Sequence, residues 1–297
     1  MSVDFDDYRR LVRLPLPLRR LALAADLARA RFAGGAPGDE VSATLQTRLR
    51  LPRREADRLA HSFLLRDRIG WFEWLALLER TPKGLTRDVE RVAIRGEDHL
   101  RRLAAEGRPI VLAPLHMGFY ALGFLAILHR HFRGRRMLIL RSREEYEVQT
   151  RALGRLAEMD MDVRFLNVAD KSAYLDAVRF ARAGAITVCF VDLPAAYGSP
   201  VAVELFGRPA TIALGVDALA RVAGATVVPT SAGSTVFGDT LSVAEPFVVD
   251  DAGPEARRRI ADRIARHIET AVAASPADWH MWPRIRSEEH TSELQSR

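Results

Sequence analysis

The rhythm of apolar and polar positions changes near residue 93. From about 8 to 80 the apolar residues recur at helical spacing, and no run resembles a strand. Leu18, Leu21, Ala22, Ala25, Ala28 and Phe32 fall on that spacing, while Arg19, Arg20, Arg29 and Arg31 crowd the remainder. Gly34-Gly35-Ala36-Pro37-Gly38 ends this helix, because paired glycines and a proline break the pattern. Two further helices are predicted over about 53–68 and 69–79, with Trp71, Phe72, Trp74 and Leu75 forming a bulky apolar cluster. Thr81-Pro82-Lys83-Gly84 is the natural break before the next region.

Beyond it, short apolar runs alternate with longer helical patterns. Strands are predicted over 109–115, 137–141, 162–166, 186–191 and 226–230. Helices are predicted over 117–131, 144–159, 170–183, 211–223 and 254–274, with Asp170 as an N-cap and Gly184 and Gly224 as C-terminal stops. Strands without polar alternation are buried on both faces, which indicates an α/β domain with a largely parallel sheet flanked by helices. The expected organisation is an N-terminal helical region over 1–92 and an α/β core over 93–285.

One histidine stands where such a fold places its chemistry. Pro109–Leu115 is a buried strand by pattern, Phe119–Leu128 is a helix, and His116 lies between them. Ligands of open α/β sheets gather outside the carboxyl ends of the strands. The positive end of the following helix also favours the neutral imidazole that a general base requires. A histidine merely capping the helix or packed in the core is the competing reading.

Charge narrows the partners. The formal net charge is +6 and the pI near 10, from 42 arginines and only two lysines among 297 residues. A basic surface suits an anionic partner such as an acidic phospholipid or an acidic protein. Nucleic acid ranks last, because no recognition motif is present and no aromatics interleave with the basic clusters. The single cysteine, Cys189, lies in the apolar run 186–191 and reads as an inert core thiol. His129 and His131 end a predicted helix, where charge complementarity explains them more simply than metal ligation. No apolar run approaches the ~20 residues that span a bilayer, and no signal peptide opens the chain, so a cytoplasmic protein, soluble or resting on a membrane surface, is expected. The helix over 18–32 is a candidate for that contact, its apolar face in the membrane and its arginines at acidic head groups; packing on the core with a solvated basic face is the equal alternative. Residues 286–297 resemble the translation of a sequencing-adapter oligonucleotide and are set aside as a non-native tail; without them the net charge becomes +7.

Several blocks in fixed order carry a family resemblance. Gly96-Glu97-Asp98-His99-Leu100 and Gly107–Leu112 lead into His116. Asp192 ends the run 186–191, and Glu204–Thr211 reads Glu-Leu-Phe-Gly-Arg-Pro-Ala-Thr. Leu219-Ala220, Gly224-Ala225, Val228-Pro229 and Pro276–Trp282 follow. The segment from about Gly96 to Ile285 thereby resembles the lysophospholipid acyltransferase superfamily, closest to its lipid A biosynthesis branch. The resemblance departs at one point. The family motif is a histidine, four residues, then an acid, and the fifth residue after His116 is Ala121.

The resemblance implies transfer of a fatty acyl chain from an acyl carrier protein or coenzyme A thioester to a hydroxyl or amine of a lipid-like acceptor. His116 would be the general base. Asp192 is the foremost substitute for the missing acid, since adjacent strand ends can bring it to His116, and Glu204 is second; Asp192 as an N-cap or turn residue before Pro194 is the competing reading. Arg208, expected ahead of a helix N-terminus, would hold a phosphate of the acceptor or of the phosphopantetheine arm, with Arg141 a weaker candidate. Gly118 would let substrate approach the backbone, and Gly207 belongs to the same substrate block as Glu204 and Arg208. No metal or bound cofactor is implied, the acyl thioester being a co-substrate. An acidic carrier protein and an anionic membrane on its inner face are the expected partners. Ala121 favours the alternative, a degenerate acyltransferase fold that binds acyl chains or partners without catalysis.

Overall fold

A computed structural model describes residues 8–32, 39–141, 147–168 and 171–285. It begins with a short 3-10 turn, Leu11–Arg13, and four helices: α1 Leu16–Phe32, α2 Asp39–Leu49, α3 Arg53–Glu79 and α4 Pro82–Glu90. The core follows as β1 Ala93–Arg95, α5 Glu97–Glu106, β2 Ile110–Pro114, α6 Tyr120–His131, β3 Met137–Arg141, α7 Glu147–Arg155, β4 Val163–Asn167, α8 Lys171–Arg182 and β5 Ile186–Val188. It ends with the hairpin β6 Pro200–Leu205 and β7 Arg208–Ala213, then α9 Val216–Ala223, β8 Thr226–Ser234, β9 Asp239–Val243, β10 Phe247–Val248 and α10 Pro254–Ala274.

The main sheet runs β1-β9-β8-β2-β5-β3-β4, with β10 also on β8. Its centre is parallel, and β9 and β10 meet β8 antiparallel. All five residues of β2 are buried. They alternate between two apolar layers: Ile110 and Leu112 enter the one with α6, and Val111 and Ala113 the one with α8, α9 and α10. That period of two is what a central strand covered on both faces demands. The N-terminal helices share these layers. Phe63 of α3 packs with the α10 side, while Trp74 and Leu77 of the same helix pack with the α6 side.

Four of the predicted strands and α10 stand where the pattern places them; β5 stops at Val188, short of the expected residue 191, and the other differences have local causes. The helices expected over 53–68 and 69–79 are one helix, α3, continuous through Gly70. Residues 211–213, expected to open a helix, close the β6–β7 hairpin instead, and α9 begins at Val216. β8 runs on to Ser234, because its small residues 231–234 pair with β9. α6 starts at Tyr120, later than the expected residue 117, because Gly118 takes φ +51° in the turn before it. Gly184 and Gly224 both have positive φ at helix ends; Asp170 lies outside the described residues. α1 differs in its orientation: Arg19 and Arg20, expected on a basic face turned to lipid head groups or to solvent, are buried.

No helix among the described residues is long and apolar enough to cross a membrane.

Candidate active site

Pairing of β2 with β5, Leu112 opposite Val188, sets their carboxyl ends side by side. His116 follows β2 by two residues and Asp192 follows β5 by four. Cys189 N–H donates to the Leu112 carbonyl at 2.9 Å and Val191 N–H to that of Pro114 at 3.1 Å, so the segment leaving β5 still tracks β2. A third segment, Pro276–Trp282, lies against the turn: Met117 bridges to Trp279, and His280 N–H donates to the His116 carbonyl at 2.8 Å.

These three segments meet at one carboxylate. Asp192 Oδ1 lies 2.7 Å from His116 Nδ1. Asp192 Oδ2 accepts the His116 backbone N–H at 2.7 Å and the Trp279 indole N–H at 2.9 Å. The Asp192 side chain is 1 % exposed, and that of His116 is 26 % exposed. Burial alone would raise the Asp192 carboxyl, but the His116 charge and the hydrogen bonds from His116 and Trp279 outweigh it and hold it below the ordinary carboxylate range. An ionised carboxylate only accepts, so the ring proton of neutral His116 sits on Nδ1. Nε2 is then the basic nitrogen, and no described residue hydrogen-bonds to it.

Aromatic residues fix the ring's plane. His116 stacks on Phe190 with centroids 4.0 Å apart and meets Tyr120 edge-on at 6.4 Å. Burial, reinforced by the Asp192 charge, pushes the Tyr120 phenol up to about 12, so it stays neutral.

The turn after His116 is held as firmly. Gly118 N–H donates to the Asp278 carbonyl at 2.9 Å. A Cβ on Gly118 would lie 3.0 Å from both the Ala232 carbonyl oxygen and Ser234 Oγ, so its close approach is to β8. Phe119 N–H donates to Ser234 Oγ at 2.6 Å, and that hydroxyl donates to Asp239 Oδ1 at 2.6 Å. Arg20 clamps Asp239 at 3.1 and 2.7 Å and reaches Glu73 at 2.8 Å. Arg19 pairs with Glu73 and Asp88, and Arg80 with Asp88 at 2.9 Å. Three buried arginines thus balance three buried carboxylates, which is the condition for keeping charge in a core.

A groove of about 1170 Å³ reaches this site at Asp192 and Trp279, although His116 is not among its lining residues. Leu193, Val203, Leu205, Ile212, Ile268 and Met281 make its walls apolar, and Arg48, Arg208 and Arg284 also line it.

The other expected residues fall variously. Arg208 does not precede a helix; it opens β7, is exposed, and donates to the Thr47 carbonyl at 3.4 Å. Glu204 sits opposite Pro209 on the exposed face of the hairpin, with no hydrogen bond to His116, and Gly207 forms its turn at φ +69°. Arg141 ends β3, two residues past the Ile139–Val188 pair, with its guanidinium 4.2 Å over the Phe165 ring. Ala121 is buried in the α6-side core. His131 pairs with Glu97 at 2.8 Å, and among the described residues no three acidic, His or Cys side chains are grouped to hold a metal. Burial pushes the Cys189 thiol up to about 12, with Asp217 adding to it. Sequence reasoning gave no role to Trp279, Ser234 or Asp239, although Trp279 lay within a marked block, and it placed Arg20 only among the arginines of a surface helix.

A clamped imidazole whose Nε2 no described residue engages, near a groove with apolar side chains in its walls, suits a protein that moves acyl groups. The chain belongs to the bacterial lipid A biosynthesis acyltransferase family, whose model matches residues 53–285. It is also similar to the phosphatidylinositol mannoside acyltransferase of two strains of Mycobacterium tuberculosis. Each is 28 % identical over 233 residues, spanning 76 % of this chain and 71 % of the relative.

Proposed function

We propose that the protein transfers a fatty acyl group from a carrier-protein or coenzyme A thioester to a hydroxyl or amine of a lipid-like acceptor, with His116 as general base. The observation that carries this reading is the contact of Asp192 with both His116 Nδ1 and the His116 backbone N–H. In the proposed step Nε2 takes the acceptor's proton as its oxygen or nitrogen attacks the thioester carbon. The tetrahedral intermediate collapses with cleavage of the carbon–sulfur bond, and the proton passes from Nε2 to the departing thiolate. Asp192 stabilises the imidazolium formed between these events, as the buried carboxylate of a serine-protease triad does.

The groove beside Asp192 has the apolar walls that an acyl chain needs, and Arg48, Arg208 and Arg284 offer charge for a phosphate of the acceptor or of the phosphopantetheine arm. The net charge of +6 suits an acidic carrier protein through electrostatic steering. Site and surface together favour a peripheral enzyme on the inner face of the cell membrane. Asp192 supplies the contact that Ala121 lacks, which weighs against a degenerate, non-catalytic fold.

The test is His116→Ala assayed with acyl-carrier-protein and coenzyme A donors of several chain lengths and a panel of lipid acceptors. Transfer should vanish while donor binding survives. Absence of transfer by the unaltered protein across the panel would refute the proposal.

A further inference from the structure

Helix α1 buries two arginines beside Leu16 and Leu23 and leaves two other leucines outside. Arg19 and Arg20 are buried at 1 % and 0 %, whereas Leu18 is 53 % and Leu21 46 % exposed. Leu18, Leu21, Ala25 and Ala28 recur at three and four residues, so they form one continuous stripe, and all four are exposed. Leu14, just before the helix, is also exposed. Packing does not produce this orientation by default, since burying a leucine is favourable by about 1.5–3 kcal/mol. It is imposed by Glu73, Asp88 and Asp239, which hold the two arginines inward.

The surroundings of the stripe are cationic. Arg10, Arg13 and Arg29 are exposed along the same segment. Asp26, the acid within α1, is engaged by Tyr8 and Arg68. Arg20 also donates to the Thr235 carbonyl at 2.7 Å, tying α1 to the β8–β9 turn, whose Phe237 is 76 % exposed. An apolar stripe flanked by arginines, with an exposed aromatic on a neighbouring turn, matches an anionic bilayer surface: leucines enter the acyl boundary and guanidiniums meet the phosphates.

We infer that the outward face of α1, centred on Leu18 and Leu21, is the seat of the protein on an anionic membrane. The inference rests on the lipid-acceptor reading for its purpose and on α1 for its support. It differs from a helix whose arginines all reach head groups, because Arg19 and Arg20 are internal, whereas Arg10, Arg13 and Arg29 are exposed.

The experiment is co-sedimentation of the whole chain with vesicles of mixed phosphatidylglycerol and phosphatidylcholine, and with phosphatidylcholine alone. Wild type should bind the anionic vesicles, and the double variant Leu18→Gln/Leu21→Gln should bind them at least roughly tenfold less, with unchanged thermal unfolding. Arg10→Gln/Arg13→Gln/Arg29→Gln should weaken binding and flatten its salt dependence. Leu175→Gln, at an exposed leucine of α8, should bind as wild type does. His116→Ala should also bind fully, and membrane binding by a wild-type protein that transfers no acyl group would refute the enzyme reading and leave this one standing. Equal binding to neutral vesicles, or binding indifferent to the double variant, overturns the inference. So does a dimer in size-exclusion chromatography that the double variant splits while wild type ignores vesicles.

Discussion

Asp192→Asn isolates the orienting contact without changing the size of the side chain. The carboxylate serves three donors: the His116 backbone N–H and the Trp279 indole N–H on Oδ2, and His116 Nδ1 on Oδ1. An asparagine offers one oxygen and one NH₂. With its NH₂ toward Oδ2's partners, two buried N–H groups lose their acceptor, at about 1–3 kcal/mol each. With its oxygen there, both are kept and the NH₂ faces Nδ1, which must then present its lone pair. The second arrangement wins, and it moves the ring proton to Nε2, where it blocks the base. The corresponding change in a serine protease lowers kcat by about 10⁴, or about 5.4 kcal/mol at 1.36 kcal/mol per decade. Asp192→Asn should therefore fold with near wild-type stability and lose about 10³–10⁴ in the rate of acyl transfer in a single-turnover thioester assay. Activity within tenfold of wild type (about 1.4 kcal/mol) would refute the argument.

Other residues give independent checks. Restoring an acid by Ala121→Glu places a carboxylate in the α6-side core, where burial of an unpaired charge is penalised; the variant should melt lower and gain no activity, and a large gain would show that Asp192 does not fill the role. Arg20→Met leaves Glu73 and Asp239 without their shared cation and should cost about 3–5 kcal/mol in guanidinium denaturation. Gly118→Ala, at φ +51° and pressed on Ala232, should lose at least about 1–2 kcal/mol in the same measurement. His280 is a pH probe: burial lowers its pKa, but Asp67 at 3.3 Å and the Gly118 carbonyl outweigh that and raise it above 6.5. Its contribution is then complete below the unfolded value and lost as pH rises through the folded one. Urea midpoints should fall as pH rises above 6.5 through that window in wild type and less so in Asp67→Asn.

The strand-end geometry was legible because two-face burial leaves a plain mark: β2, β3, β4 and β5 are short apolar runs, and His116 and Asp192 follow from where β2 and β5 stop. The β6–β7 hairpin was not. Its turn is Phe206-Gly207, both at positive φ, and phenylalanine carries no turn signal in a sequence. That missing turn is why Arg208 was expected before a helix. Nor could spacing alone orient α1. Leucines and arginines fall on both sides of the helix, and which side is buried depends on Glu73, Asp88 and Asp239; Glu73 is 54 residues from Arg19 and 53 from Arg20, and Asp239 is 219 from Arg20. Trp279 sat in a visible block, yet its service to Asp192 depends on a fold that joins positions 87 residues apart.

The central claim is that Asp192 holds the His116 proton on Nδ1 and so leaves Nε2 as the base. Nitrogen-15 NMR of the imidazole, assigned by comparison with His116→Ala, reads this directly at a pH where the ring is neutral. Wild type should show a protonated Nδ1 and a bare Nε2, reversed in Asp192→Asn. A proton on Nε2 in the wild-type protein would contradict it.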